Sequence, residues 1–242
     1  MTSDVDPSPY RLQVEAELCR RSFPEFMRRA WHILEPSRPL IWGWPLDALT
    51  EHLTAVHNGE ITRFIATIPP GSTKSLTTRV FSPVWGWLQN PHSRYIGASY
   101  AHHLSTRDNR RAQQLIMSDW FRQRFPELKI DPRRQAVENF GNNQTGWMLA
   151  TSVEGIGTGE RGDQFVIDDP LSAKQADSPT YRQAALKWFY ETVPSRLNDL
   201  DSGQILIIMQ RRHDEDVANS AIELDYDPLN IPMHFDPEQI RK

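Results

Sequence analysis

The chain has a single cysteine, Cys19, in 242 residues. No intrachain disulfide and no cysteine-built zinc site is available to it, which fits a reducing compartment. Long apolar runs are lacking as well. The longest aliphatic run, Ile205 to Met209, has five residues, far below the roughly 20 that cross a bilayer, so no membrane partner is expected. The polar start, with Thr2, Ser3, Asp4 and Asp6, carries no signal-peptide pattern, and a soluble, non-exported protein is expected. Nor is there a repeat of fixed period or a Gly/Ser-rich linker. One domain with peripheral additions is the simplest reading of a length between one and two typical domains.

What is present is globular: 38% hydrophobic and 24% charged residues, with eight tryptophans that argue against a disordered chain. The net charge of −4 predicts no affinity for nucleic acid, but its distribution is uneven. Residues 107 to 134 hold eight basic side chains against four acids, so this stretch is +4 on a body of −8.

Residues 1–60 read as a helical, aromatic region. Leu18, Phe23, Phe26, Met27 and Trp31 recur at helical spacing before the Pro36 to Pro39 break, and Leu46, Leu49, Leu53 and Val56 after it. Over 61–242 the pattern changes. Short apolar stretches at Phe64–Ile68, Tyr95–Ser99, Trp147–Ala150, Phe165–Ile167 and Ile205–Met209 have the length of buried strands, and most are separated by helical spacing. That alternation implies an α/β fold with a mainly parallel central sheet flanked by helices. One of those helices is signalled by Ser178 as N-cap and Pro179 at the first position, followed by the stripe Tyr181, Ala185, Trp188, Phe189 and Thr192.

Another begins at Lys74. Strand, then Pro69-Pro70-Gly71-Ser72-Thr73 turn, then Lys74-Ser75 opening a helix is the layout of a phosphate-binding loop. Backbone N–H groups at such a helix start are unpaired and partly positive, a lysine there reaches the β and γ phosphates, and the next hydroxyl ligates Mg²⁺. Pro70, Gly71, Ser72, Thr73, Lys74 and Ser75 are therefore the candidate nucleotide-binding residues, with Ser75 also a metal ligand. The match to G-x-x-x-x-G-K-[ST] is partial, since Ile68 and Thr73 stand at the two glycines. Thr73 brings a Cβ to where backbone crowds the phosphates, so the loop is expected to take an αR-compatible shape there or to bind nucleotide more weakly. Taken alone, the stretch is equally a proline turn before a Ser/Thr-rich helix.

A second element stands downstream. Gln164-Phe165-Val166-Ile167-Asp168-Asp169-Pro170 is an apolar strand ending in two carboxylates. A strand beside the phosphate loop would deliver both to the sheet edge where ligands of open α/β sheets bind, Asp168 to hold Mg²⁺ and Asp169 to orient and activate the attacking water. A third strand, Gln204–Met209, leads to Gln210, a polar group placed to touch the γ-phosphate or its water. Asp214, Glu215 and Asp216 suit the positive end of a following helix. His213 beside them reads as structural rather than as a metal ligand.

The ordered set of Pro69 to Ser75, Ser99-Tyr100, Phe125-Pro126, the Gly155 to Gly162 segment, Asp168-Asp169-Pro170 and Met209 to His213 resembles the large terminase subunit of tailed bacteriophages, over roughly Trp31 to the end of the sequence. The resemblance implies a P-loop NTPase that hydrolyses ATP with Mg²⁺ to drive double-stranded DNA into a capsid. It also implies portal and small terminase subunit as partners, a homo-oligomeric ring when active with a monomer in isolation, and the bacterial host cytoplasm as location. By the same resemblance Arg161 matches an arginine supplied in trans to a neighbour's ATP, and Gln210 falls at the motif coupling hydrolysis to movement. The family's RNase-H-like nuclease half is expected to be absent, because the stretch after Gln210 is too short for it.

Arg107, Arg110 and Arg111 fall on one face of a helix, either against DNA phosphates or as a solvated or subunit-pairing face. Trp42 and Trp44 allow adenine stacking or plain burial. Two rival functions stand beside the motor: another nucleic-acid-stimulated P-loop ATPase of helicase type, and an ATP-binding assembly module with negligible hydrolysis.

Overall fold

The computed structural model describes residues 8–153, 155 and 159–233. Three helices open the chain: α1 (Pro9–Arg21), α2 (Phe23–Leu34) and α3 (Trp44–His57). Strand β1 (Arg63–Thr67) then leads through the proline turn into one continuous helix of three parts, α4 (Lys74–Leu76), a π-helical turn (Thr77–Phe81) and α5 (Ser82–Gln89). β2 (Arg94–Ser99), α6 (His102–Met117), α7 (Asp119–Arg124), β3 (Ile130–Ala136), β4 (Asn139–Asn142), β5 (Trp147–Ser152) and β6 (Gln164–Asp168) follow. The chain continues through α8 (Ala173–Ala176), α9 (Pro179–Glu191), a 3₁₀ turn (Pro194–Arg196), β7 (Gln204–Met209), α10 (Val217–Glu223) and β8 (Asp227–Asn230).

The sheet order is β3-β4-β5-β2-β6-β7-β1-β8. β5 through β8 run parallel, and the β3–β4 hairpin adds two antiparallel strands at one edge. The architecture is thus α/β with a mixed, mainly parallel sheet, and all five apolar stretches marked in the sequence are its central strands. Three strands had no such mark. β3 and β8 are edge strands whose residues are mostly exposed, and each contains a proline, Pro132 and Pro228, which an edge tolerates because one side of the backbone has no partner to bond.

Helices cover both faces. Phe64, Ala66, Val166, Leu206 and Ile208 point to one side, where α1–α3, the 74–89 helix and α6 pack. Ile65, Phe165, Ile167, Ile205 and Ile207 point to the other, against α9 and α10. The N-terminal helices share the first of these cores: Phe26 lies within ring contact of Phe81, Phe121 and Phe125, and the Trp85 indole donates to the Cys19 carbonyl at 2.9 Å. Two stripe positions depart from expectation. Leu18 and Tyr181 are exposed, on the outer edges of their helices, while the other apolar members of their stripes are buried. Helix α9 starts at Pro179 as expected, although the Ser178 side chain makes no capping bond.

His57 ends α3 inside this core. Its Nε2 lies 2.9 Å from the Ser82 hydroxyl, its ring meets Trp85 edge-on, and a Cβ on Gly86 would come within 2.4 Å of its Cε1. Burial lowers its pKa from 6.5 to about 4. Between those values the unfolded chain takes up the proton first, so this group's contribution to stability is lost as pH falls from 6.5 towards 4. His57→Gln is expected to flatten the fall of folding free energy over that range, measured by urea denaturation at stepped pH; an unchanged slope would show that His57 titrates freely.

Candidate nucleotide site

The site forms where β1, β6 and β7 end side by side. Register places Thr67 beside Met209 and Asp168 beside Ile208, so the phosphate-loop candidates, the two aspartates and Gln210 emerge at one sheet edge. Gly71 has φ +79, a conformation that L side chains rarely adopt. The Ser72 hydroxyl closes the turn onto the Pro69 carbonyl at 2.7 Å.

Thr73 takes φ 60, ψ 9, so of the two alternatives expected of it, an αR-compatible shape or weaker nucleotide binding, the first is not adopted. The left-handed turn that a glycine would supply is kept, with a threonine in it, and the Thr73 hydroxyl is buried without a partner. Left-handed backbone costs a side-chain-bearing residue about 1–2 kcal/mol, and such strain is commonly held at ligand-binding loops.

Lys74 is 6% exposed. Its Nζ lies 2.9 Å from Asp169 Oδ1 and 3.5 Å from the Ile68 carbonyl. The same Asp169 oxygen accepts the Gln210 backbone N–H at 2.9 Å. Asp169 reaches inward because the chain leaves β6 with φ 44 at that residue, a left-handed step that aspartate tolerates better than most side chains. Lys74, Asp169 and Gln210 are thereby one connected group.

Asp168 remains in the strand and is buried, and its Oδ1 has no hydrogen-bond partner. Burial, reinforced by the charge of Asp169, raises its pKa to about 7, while a hydrogen bond from Ser75 pulls the other way. A hydroxyl beside a carboxylate with an unsatisfied oxygen is a hard oxygen donor set, which suits Mg²⁺ completed by phosphate oxygens and water. Among the described residues no cluster of three or more His, Cys, Asp or Glu offers a self-sufficient metal site. His213 accordingly serves locally, accepting the Glu215 N–H at 3.0 Å, and Asp216 caps α10.

These groups open on a cavity of about 760 Å³, within the usual range for small-molecule sites. Its far wall is apolar, from Trp31, Leu40, Ile41 and Leu46, with Arg38, Arg107, Arg111 and Arg212 around it. Arg107 and Arg111 were marked by charge as candidates for DNA. Both line this cavity, with Arg107 on Asp108 at 2.8 Å and Arg111 on Glu35 at 2.9 Å; Arg107 and Arg110 are exposed and Arg111 is half-buried. Trp42 and Trp44 are absent from the lining: Trp42 stacks under Arg28 and Trp44 is exposed. The tryptophan that does line the cavity, Trp31, had been marked only as a core residue.

Arg161 is exposed and lies before the start of β6. It stands at the opposite edge of the sheet from Asp168, about 13 Å away along the strand alone, and is not brought to this chain's cavity. Of the Gly155 to Gly162 segment, Glu154 before it and Ile156, Gly157 and Thr158 within it lie outside the described residues.

No family model matches the chain, and no curated protein matches it. Ten chains of solved structures do. The HK97 bacteriophage large terminase is 11% identical with a TM-score of 0.48, over 87% of this chain and 46% of that one. The N-terminal domain of the DNA packaging ATPase from bacteriophage phi29 is 12% identical with a TM-score of 0.47, over 77% of this chain and 96% of that one. This chain spans less than half the length of the first. Likeness this remote leaves the chemistry to be read from the site itself.

Thr73→Gly removes the left-handed strain and the unpartnered hydroxyl, offset in part by the greater freedom of glycine in the unfolded chain. A net gain of about 1 kcal/mol in urea denaturation is expected; a loss of that size would mean that the threonine holds the loop together.

Proposed function

We propose that the chain is an ATP-hydrolysing motor of the viral DNA-packaging class, acting on double-stranded DNA. The observation that carries the hydrolytic half of this reading is the contact of Lys74 with Asp169 at 2.9 Å, with the Gln210 N–H on the same oxygen. On this reading the phosphate-reaching cation, the carboxylate base and the start of the coupling segment belong to one group. The packaging half rests on the order of the motifs along the chain, and with it come the portal and small terminase subunit as partners, a ring of identical subunits, and the bacterial host cytoplasm.

Residues 61–242 constitute the ATPase portion in this reading and 1–60 a helical region packed on it. Gly71, Ser72 and Thr73 wrap the phosphates with backbone N–H groups, and Pro70, which has no N–H, fixes the turn that presents them. Lys74 exchanges Asp169 for phosphate oxygens, which leaves the Asp169 carboxylate unpaired and able to orient a water and take its proton. Ser75 and Asp168 would hold Mg²⁺, which would supply positive charge to offset that of the phosphates. Gln210, whose backbone already follows Asp169, carries the change at that carboxylate into the segment after β7. Arg161 serves a neighbouring subunit's site, since its own is across the sheet.

Lys74→Ala and Asp169→Ala are each expected to abolish DNA-stimulated ATP turnover, measured at steady state over a concentration series so that ring assembly is not limiting; normal turnover in either defeats the assignment. Arg161→Ala should bind nucleotide without turning it over and should recover turnover in rings mixed with Asp169→Ala. Strand separation without packaging would instead favour the helicase reading.

A further inference from the structure

Arg79 is 3% exposed, buried between the sheet and two helices, and none of the phosphate-loop chemistry uses it. It sits in the π-helical turn, where the Thr77 and Thr78 hydroxyls bond back to the carbonyls of Thr73 and Lys74 at 3.1 and 2.9 Å. Such widened turns re-aim side chains and recur at functional sites. Its guanidinium occupies the space above β2 that Gly97 leaves open: a Cβ there would lie 1.6–1.7 Å from the guanidinium atoms. Nε and Nη2 are buried without a hydrogen-bond partner.

The face that Arg79 lies on is shared. Gly97 pairs with Val166 and Ser99 with Asp168 across β2 and β6, so Asp168 is on the same side two residues further along. Above them, α6 presents buried Ser105, Asp108 and Asn109, with Ser105 at 3.0 Å from the Ser99 hydroxyl. Burial disfavours the charge on Arg79, and the carboxylates that favour it are Asp108 and Asp168. Two buried carboxylates thus face one buried guanidinium, and that guanidinium has donors to spare. Asp168 Oδ1 is likewise unsatisfied. A buried ion without a partner costs several kcal/mol, so the three groups constrain one another even where no fixed hydrogen bond joins them.

We propose that Arg79 is a positioning residue: it holds Asp168 in place as the metal-binding carboxylate, and through Asp108 it sets α6 so that Arg107 stays on the nucleotide cavity. The inference rests on the metal role proposed above for Asp168. Arg79 touches neither nucleotide nor reacting atoms; its effect is on how firmly the Ser75–Asp168 pair accepts a divalent ion. Partners of that kind, one step behind a metal ligand, change metal affinity by about 10–100-fold when removed.

The test is binding of a fluorescent ADP to the full chain in excess EDTA and in Mg²⁺, so that each protein yields a metal-dependent gain in affinity. Asp168→Asn should abolish the gain. Arg79→Met combined with Asp108→Asn keeps the buried charge balanced and should cut the gain about tenfold while leaving affinity in EDTA unchanged. Arg79→Lys, whose single point charge cannot span two carboxylates, should lose part of the gain as well, and it decides the matter if the double variant does not fold by circular dichroism. A wild-type gain retained in either folded variant, or an equal loss with and without Mg²⁺, overturns the positioning role and leaves the Asp168 assignment standing. A wild-type protein with no Mg²⁺ gain, or a gain that survives Asp168→Asn, overturns the metal assignment and this inference with it.

Discussion

The contact between Lys74 and Asp169 is the constraint around which the site is arranged. A lysine only 6% exposed needs a counter-charge, and among the described residues the carboxylate paired with it is that of Asp169, which follows the next-but-one strand in the sheet order. Satisfying it requires β1 and β6 to end at the same level with β7 between them, the phosphate loop to turn left-handed at Thr73, and the chain to turn left-handed again at Asp169. Both non-glycine left-handed residues at the site therefore belong to one requirement. In this pair the lysine cation and the aspartate carboxylate neutralise each other.

Beneath that pair lies a second layer of charge. Asp168 cannot leave its strand, and its burial would by itself favour the protonated form that binds no metal. The hydrogen bond from the Ser75 hydroxyl and, more weakly, the charge of Lys74 oppose this. Both groups come from the first turn of the helix that begins at Lys74. Apolar packing keeps the register: strands alternate between the two cores, so a slip of one residue would turn Asp168 away from Arg79 and towards α9 and α10.

Much of the site was legible in the linear chain because it is built from contiguous signals. A buried strand, a turn and a lysine are read together, as are an apolar strand and the carboxylates that end it. The central strands were legible for the same reason, being short, apolar and buried on both faces. β3, β4 and β8 were not, since edge strands owe their existence to the free edge of a neighbour and carry no hydrophobic period of their own. The arginines fared worst. Arg107 and Arg111 carried a charge signal without a direction, and Arg79 carried no signal at all, because its significance lies in a glycine on another strand.

By itself the sequence determined the class of fold, the order of its five central strands along the chain, and the identity of the groups delivered to the sheet edge, since each depends on neighbours within a few residues. Only the tertiary structure decided which oxygen Lys74 meets, that Thr73 keeps the left-handed turn, that Arg161 lies across the sheet from this cavity, and that Arg107 and Arg111 line it. Those outcomes depend on strand register and on which helix face is covered, and both are set by burial between segments far apart in the chain.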